Sequence, residues 1–374
     1  MMVFFLLVIL AYAATIAQLI YGFGKVKTYT PSGKPPQTFF SIVVPFRNEA
    51  QNLPALLESF RNLNYPLDLF EMILIDDFSE DDSQRLLYNW RMQNGAFDVT
   101  LLENINISGS PKKDAISRAI PIAKQDWIVT TDADCTVPEN WLLTLDNYIR
   151  QYDVSMLVGA VVYDEKRSFI RHFQQLDLMG LQGATIGSFG MGLGFMCNGA
   201  NFSYKKSLFT ELGGFGGNTD KASGDDVFLV QKAVAKFPQK VHYLKSKTNI
   251  VATKPLDNWG KLFQQRVRWA SKTGAYQSVF GKDLAVMVFL GNLCCLVALG
   301  FSVCEKLSWE AFAVIFGIKF IIDTILLHIA NQFLSGKWMW FLVLSSVLYP
   351  FFSVVVALYA LVFGYSWKGR KFKA

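Results

Sequence analysis

The feature that most limits what this chain can fold into is the placing of its apolar residues at its two ends. Residues 1 to 23 carry no charge. After Asp283, three more apolar runs follow, at Leu284–Cys304, Glu310–Leu334 and Met339–Gly364. Each is about long enough to cross a bilayer, which takes roughly 20 residues of helix. The 374 residues are 52% hydrophobic and 18% charged with 32 Phe, more apolar than a wholly water-soluble domain of this length. The pattern predicts an N-terminal anchor (1–24), a globular domain (37–282), a membrane region (283–366) and a basic tail (367–374).

Charge gives these segments a direction. Lys25, Lys27 and Lys34 follow the first apolar run, and Arg266, Arg268, Lys272 and Lys282 precede the second. Positive residues beside spans mark the cytoplasmic face and suit anionic membrane lipids. The first segment, with its basic residues after rather than before it, reads as an uncleaved anchor. The globular domain is therefore expected in the cytosol, on a plasma or inner membrane. Three C-terminal crossings would then put Lys368, Arg370, Lys371 and Lys373 outside, against that same rule. One segment is expected to be re-entrant or interfacial. The third apolar segment is the candidate, since it carries Lys319, Asp323 and His328. Lys319 and Asp323, four apart, share a helix face and can pair; His328 reads as a packed, hydrogen-bonded residue.

The net charge of +6 forms no basic stripe inside the domain, so nucleic-acid binding is not expected. Five cysteines without C-x-x-C spacing predict neither a disulfide framework nor a zinc site.

Between the apolar ends, strand and helix patterns alternate after a Pro/Gly linker at Thr30–Pro36. Strands are expected at Phe40–Val44, Phe70–Ile75, Val99–Leu102 and Trp127–Thr131. Helices are expected at Asn52–Leu63, Asp82–Gln93 and Lys113–Ala123. Such alternation predicts an α/β domain with a mostly parallel sheet, whose ligands bind beyond the carboxyl ends of the strands. Asp76-Asp77 and Asp132-Ala-Asp134 both stand at such ends.

Carboxylates one residue apart, as Asp132 and Asp134 are, can face one divalent cation whose other ligands are diphosphate oxygens and water. Asp is also common in solvated turns and at N-caps. Asp76-Asp77 can accept a uracil imide N–H or hold a ribose hydroxyl, or simply cap a turn. Gly224-Asp-Asp226 opens a helical stretch, expected over Val227–Phe237. Its carboxylates either favour the helix dipole or supply a general base. Gln265-Arg-Val-Arg-Trp269 fits an interfacial belt, or a diphosphate-pairing Arg268 with a Trp269 pocket wall. Phe169, Phe173, Leu176 and Met179 recur at helical spacing before a glycine-rich stretch at Gly187–Gly199. That reads as a core helix with a flexible loop, or as an interfacial helix with an acceptor-site loop.

Taken in order, VVPFRNE (43–49), ILIDDFSED (73–81), TTDADC (130–135), GDD (224–226) and QRVRW (265–269) resemble the family 2 glycosyltransferases of GT-A fold. The likeness is strongest to the membrane branch that includes cellulose, hyaluronan and poly-N-acetylglucosamine synthases and ceramide glucosyltransferases. It runs from about Phe39 to Trp269. The resemblance implies that Pro45 and Glu49 line the nucleotide pocket, and that Asp76 or Asp77 meets the base. Lys112 would touch the nucleotide, although Pro111 replaces the family's usual glycine and Lys113 could take the role. Asp132 and Asp134 would hold the donor with Mg2+ or Mn2+. Asp226 would be the catalytic base and Asp225 stands where the family commonly has Glu. Gln265, Arg268 and Trp269 would meet diphosphate and acceptor.

Activity is accordingly expected to be inverting transfer of a sugar from a nucleotide donor, a UDP-sugar favoured, to a lipid, lipid-linked or glycan acceptor. Processive polysaccharide synthesis is the alternative reading, and a non-catalytic membrane assembly subunit a third. No oligomeric state is read from the residues.

Overall fold

The computed structural model describes residues 2–164, 168–218, 224–367 and 370–372. Lys368 and Lys373 of the basic tail lie outside the described residues. The chain divides into two compact units, one of residues 27–164 and 195–254, the other of residues 1–26, 165–194 and 255–374.

The first unit is the α/β domain. Its strands are β1 (Phe40–Phe46), β2 (Phe70–Asp76), β3 (Val99–Glu103), β4 (Trp127–Thr130), β5 (Cys135–Thr136), β6 (Met156–Gly159), β7 (Val161–Tyr163), β8 (Phe202–Lys205), β9 (Val241–Leu244) and β10 (Val251–Thr253). Seven of them form a sheet in the order β3-β2-β1-β4-β8-β6-β9. β1 pairs in parallel with β2 and β4, and β2 with β3; β8 alone runs antiparallel to its neighbours. β5, β10 and β7 make a smaller sheet. Every residue of β2 is buried, as a strand covered on both faces requires.

Helices α2 (Leu53–Arg61), α3 (Ser83–Gln93), α4 (Pro111–Ile122) and α5 (Trp141–Gln151) cover the sheet. α2 shows why: Leu53, Leu56, Leu57 and Phe60 lie on one face and are buried with Phe40, Ile42 and Val44. The Pro/Gly linker is tied down on α5, with the Ser32 hydroxyl bonding Asn147 at 2.8 Å and the Thr38 amide bonding Asp146 at 2.8 Å. Because β1 pairs with β2 on one side and β4 on the other, the strand order reverses there. The carboxyl ends Phe46, Asp76 and Thr130 surround the crevice where such sheets take ligands.

The second unit gathers the apolar helices α1 (Met2–Lys25), α10 (Val279–Val303), α11 (Trp309–Leu334) and α12 (Leu342–Val362), all long and apolar enough to cross a membrane. With them lie α6 (Phe169–Gly190), α9 (Trp259–Ser271) and a hairpin of β11 (Tyr365–Trp367) and β12 (Arg370–Phe372). The remaining helices, α7 (Lys206–Glu211) and α8 (Asp225–Lys236), belong to the first unit. The glycine-rich stretch differs from expectation, because α6 stays helical through Gly190. Its glycines serve close packing. A Cβ on Gly190 would stand 1.8 Å from the Gly22 carbonyl oxygen, and one on Gly187 2.4 Å from that of Leu19.

Lys319 and Asp323 pair at 2.5 Å, as their spacing predicts, and the Tyr12 hydroxyl also donates to Asp323 at 2.5 Å. The buried charge is thus satisfied and ties α1 to α11. His328 is bonded to Gln332 at 2.8 Å, as expected, but is exposed rather than packed. The C-terminal half of α12 runs beside α9, with Phe263 5.2 Å from Tyr359 and Val267 packed with Val356, Ala360 and Tyr365.

Candidate active site

The site is built where β1, β2, β3 and β4 end. The turn after β4 carries Asp132, Asp134 and Cys135, whose ligand atoms all lie within 4.8 Å of one another. Burial, with Asp134 and Asp132 alongside, pushes the Cys135 thiol well above its ordinary pKa. A pair of carboxylates on one turn suits a hard cation such as Mg2+ or Mn2+. These residues fit the metal that the motif implies.

Lys112, on the first turn of α4, reaches the same carboxylates. Its ammonium lies 2.7 Å from Asp132 Oδ1 and 3.4 Å from Asp225 Oδ2. Burial disfavours the charged form, but Asp132, Asp225 and Asp226 outweigh it, and the net pKa direction is upward. Lys113 points elsewhere. Its buried ammonium donates to the Asn218 carbonyl at 2.6 Å and lies over the Phe228 ring.

Asp225 and Asp226 form the first turn of α8, which begins two residues earlier than the pattern suggests, after Gly224 in the left-handed region at φ +86°. Asp226 accepts the Gly199 amide at 2.8 Å and the Val227 amide at 2.7 Å. The Thr130 hydroxyl, at the end of β4, donates to the Gly199 carbonyl at 2.7 Å. β4, the segment before β8 and the start of α8 are therefore stitched together at one point.

On the other side of the crevice, Pro45 and Phe46 of β1 stand in register with Ile75 and Asp76 of β2. Asp76 accepts the Ser79 amide at 3.1 Å and the Gln84 side chain. Asp77 accepts from Asn104 at 2.9 Å, and the same Asn104 amide donates to the Pro111 carbonyl at 3.0 Å. Glu49 is buried and bonds Asn52 at 2.5 Å. The roles of two residues here were not read from the motifs. Asn104 couples Asp77 to the helix that carries Lys112; its only signal was a polar residue directly after a strand. Arg47 bonds the Asp77 and Phe78 carbonyls at 2.7 and 2.6 Å and pins the loop after β2.

Gln265, Arg268 and Trp269 lie on α9, in the second unit. Arg266 and Val267 are the buried residues of that motif; Arg266 donates to Asp177 of α6 at 2.5 Å and to the Gln265 side-chain oxygen, and lies 4.2 Å over the Trp269 ring. Arg268 stands close enough to Tyr365 for its charge to act on that phenol, though burial dominates and raises the phenol pKa.

Residues 41–213 match the family described as Glycosyl transferase family 2. Among curated proteins, the undecaprenyl-phosphate 4-deoxy-4-formamido-L-arabinose transferase of Pseudomonas savastanoi is 34% identical over 131 residues, 34% of this chain and 36% of that protein. The probable glycosyltransferase YdaM of Bacillus subtilis is 24% identical over 237 residues, 62% of this chain and 54% of that protein. The chain thus spans between about a third and about half of the length of these relatives. Among solved structures, the mannosyltransferase PcManGT of Pyrobaculum calidifontis, in complex with GDP-Man and Mn2+, aligns with a TM-score of 0.58 at 17% identity, covering 95% of this chain and 98% of that one. That likeness is one of fold. Residues 41–213 thus match a glycosyl transferase family 2 domain, the fold is of the GT-A kind, and N- and C-terminal helices are long and apolar enough to span a membrane.

Proposed function

We propose that the protein transfers one sugar from a nucleoside-diphosphate sugar, a UDP-sugar favoured, to a lipid or lipid-linked acceptor at the cytosolic membrane surface, inverting the anomeric centre. The observation that supports this best is the meeting of Lys112, Asp132, Asp134, Asp225 and Asp226 at the carboxyl ends of the parallel strands. Asp76 and Asp77, held by Ser79 and Asn104, are assigned to the base and ribose, and Pro45 and Glu49 to the nucleotide pocket. Asp132 and Asp134 would hold Mg2+ or Mn2+. Bound there, the cation neutralises charge on a departing diphosphate.

Asp226 is assigned the acceptor proton. Its carboxylate is oriented by two backbone amides, those of Gly199 and Val227. Asp225 orients the acceptor, and Arg268 with Gln265 and Trp269 is assigned to diphosphate and acceptor. The described site offers no separate nucleophilic carboxylate, so a single displacement with inversion is the expected course. Donor-dependent release of nucleoside diphosphate by purified protein tests the assignment; a scaffold subunit would release none.

A second reading concerns the acceptor alone. One relative named above is an undecaprenyl-phosphate 4-deoxy-4-formamido-L-arabinose transferase, and a phosphate monoester is already largely ionised at neutral pH. With such an acceptor Asp226 would position rather than deprotonate.

A further inference from the structure

A cation already stands on the carboxylate that the proposed metal site needs. The Lys112 ammonium is 2.7 Å from Asp132 Oδ1 and is shared with Asp225 at 3.4 Å. We propose that Lys112 is an internal counter-ion that competes with the divalent cation for Asp132, so that cation and nucleoside diphosphate fill the site together and each binds weakly alone. The inference rests on Asp132 being a metal ligand, as proposed above.

A dication on Asp132 would lie within a few ångströms of an ammonium in a partly desolvated crevice, where like charges repel strongly. Removing the ammonium without a replacement partner leaves a charge half-buried, which is also costly. A diphosphate resolves both problems, since its oxygens accept the lysine and share the metal. Lysine suits such an exchange because it is a point charge on a flexible stem, able to turn from a carboxylate to a phosphate. Room for the ammonium depends on Gly199, where a Cβ would stand 3.3 Å from Lys112 Nζ and 3.4 Å from Asp225 Oδ2. Lys113 cannot substitute, because its ammonium is buried against the Asn218 carbonyl.

Thermodynamic reciprocity gives the test. Binding of Mn2+ to the purified full-length protein is measured by the electron paramagnetic resonance of free Mn2+, with and without UDP. The forms compared are wild type, Asp132→Asn, Lys112→Gln and Lys112→Gln/Asp132→Asn, with circular dichroism confirming that each is folded. Without nucleotide, Lys112→Gln should bind Mn2+ about tenfold more tightly than wild type. UDP should tighten Mn2+ binding to wild type by about tenfold or more and to Lys112→Gln by much less. Lys112→Gln binding Mn2+ no better than wild type, or UDP helping both forms equally, would overturn the proposal. Failure of the underlying metal assignment looks different: Asp132→Asn would then bind Mn2+ as wild type does, and the double variant as Lys112→Gln does.

Discussion

The Asp226 carboxylate accepts the Gly199 backbone N–H at 2.8 Å, joining the start of α8 to the segment that leads into β8. The residue assigned as base is therefore also a structural clip. Asp226→Asn keeps shape but must turn an NH2 group toward one of two backbone amides. It should cost about 1–3 kcal/mol of stability as well as basicity. With a hydroxyl acceptor, we expect kcat to fall by about 10²–10⁴-fold while donor Kd changes little. With a lipid phosphate acceptor the fall in kcat should be far smaller, because no proton need be removed. Steady-state kinetics on the two acceptor classes, beside a thermal melt, separates the roles. Equal and near-normal turnover on both would remove Asp226 from the chemistry.

Asp134→Ala should abolish turnover and weaken donor binding whenever Mg2+ or Mn2+ is present, since it removes one of two neighbouring carboxylates on the β4–β5 turn. EDTA should do the same to wild type, reversibly. An EDTA-insensitive rate would show that the acidic turn works without a cation.

Arg266 and Asp177 are a buried pair, each only 6% exposed. Removing one partner leaves a charge uncompensated, which typically costs about 3–5 kcal/mol. Arg266→Ala should lower the melting temperature in detergent markedly, whereas Arg268→Ala should act mainly on kcat/KM. The reverse pattern would exchange the structural and functional assignments within the motif.

The C-terminal hairpin should lie on the same side of the membrane as α9. Tyr365 packs with Val267 of α9, and the C-terminal half of α12 runs along that helix beside Phe263. These contacts favour the last apolar segment, rather than the charged third, as the one that stays at the interface. Lys319 loses its objection to crossing once paired with Asp323. A reporter after Ala374 should read on the same side as one inserted near Asn258. Opposite readings would mean that α12 crosses fully.

The motifs that were legible in the sequence are those set by local rules. Buried strands ending in aspartates and the apolar face of α2 follow from periodicity, so β1, β2, β4 and the acidic pairs fall within a residue or two of their expected places. Glycine was harder to read. Gly187 and Gly190 looked like loop residues, yet a helix needs glycine when another backbone comes this close, and only tertiary contact distinguishes the cases. Polar partners were equally hidden. Nothing local links Asn104 to Asp77, Asp177 to Arg266 or Tyr12 to Asp323, because each bond joins residues far apart in the chain. The different directions of Lys112 and Lys113 also needed the fold, since adjacent helical positions point to different faces.

The central claim is a single inverting transfer, and the anomeric configuration of the product tests it most directly. Purified protein in lipid nanodiscs is given an α-linked UDP-sugar, Mn2+ and a polyprenyl acceptor, and the glycosylated lipid is examined by the one-bond C–H coupling of its new anomeric centre. One β-linked sugar per acceptor is expected, formed in step with release of UDP. An α-linked product, or UDP release with no glycosylated lipid formed, would contradict it.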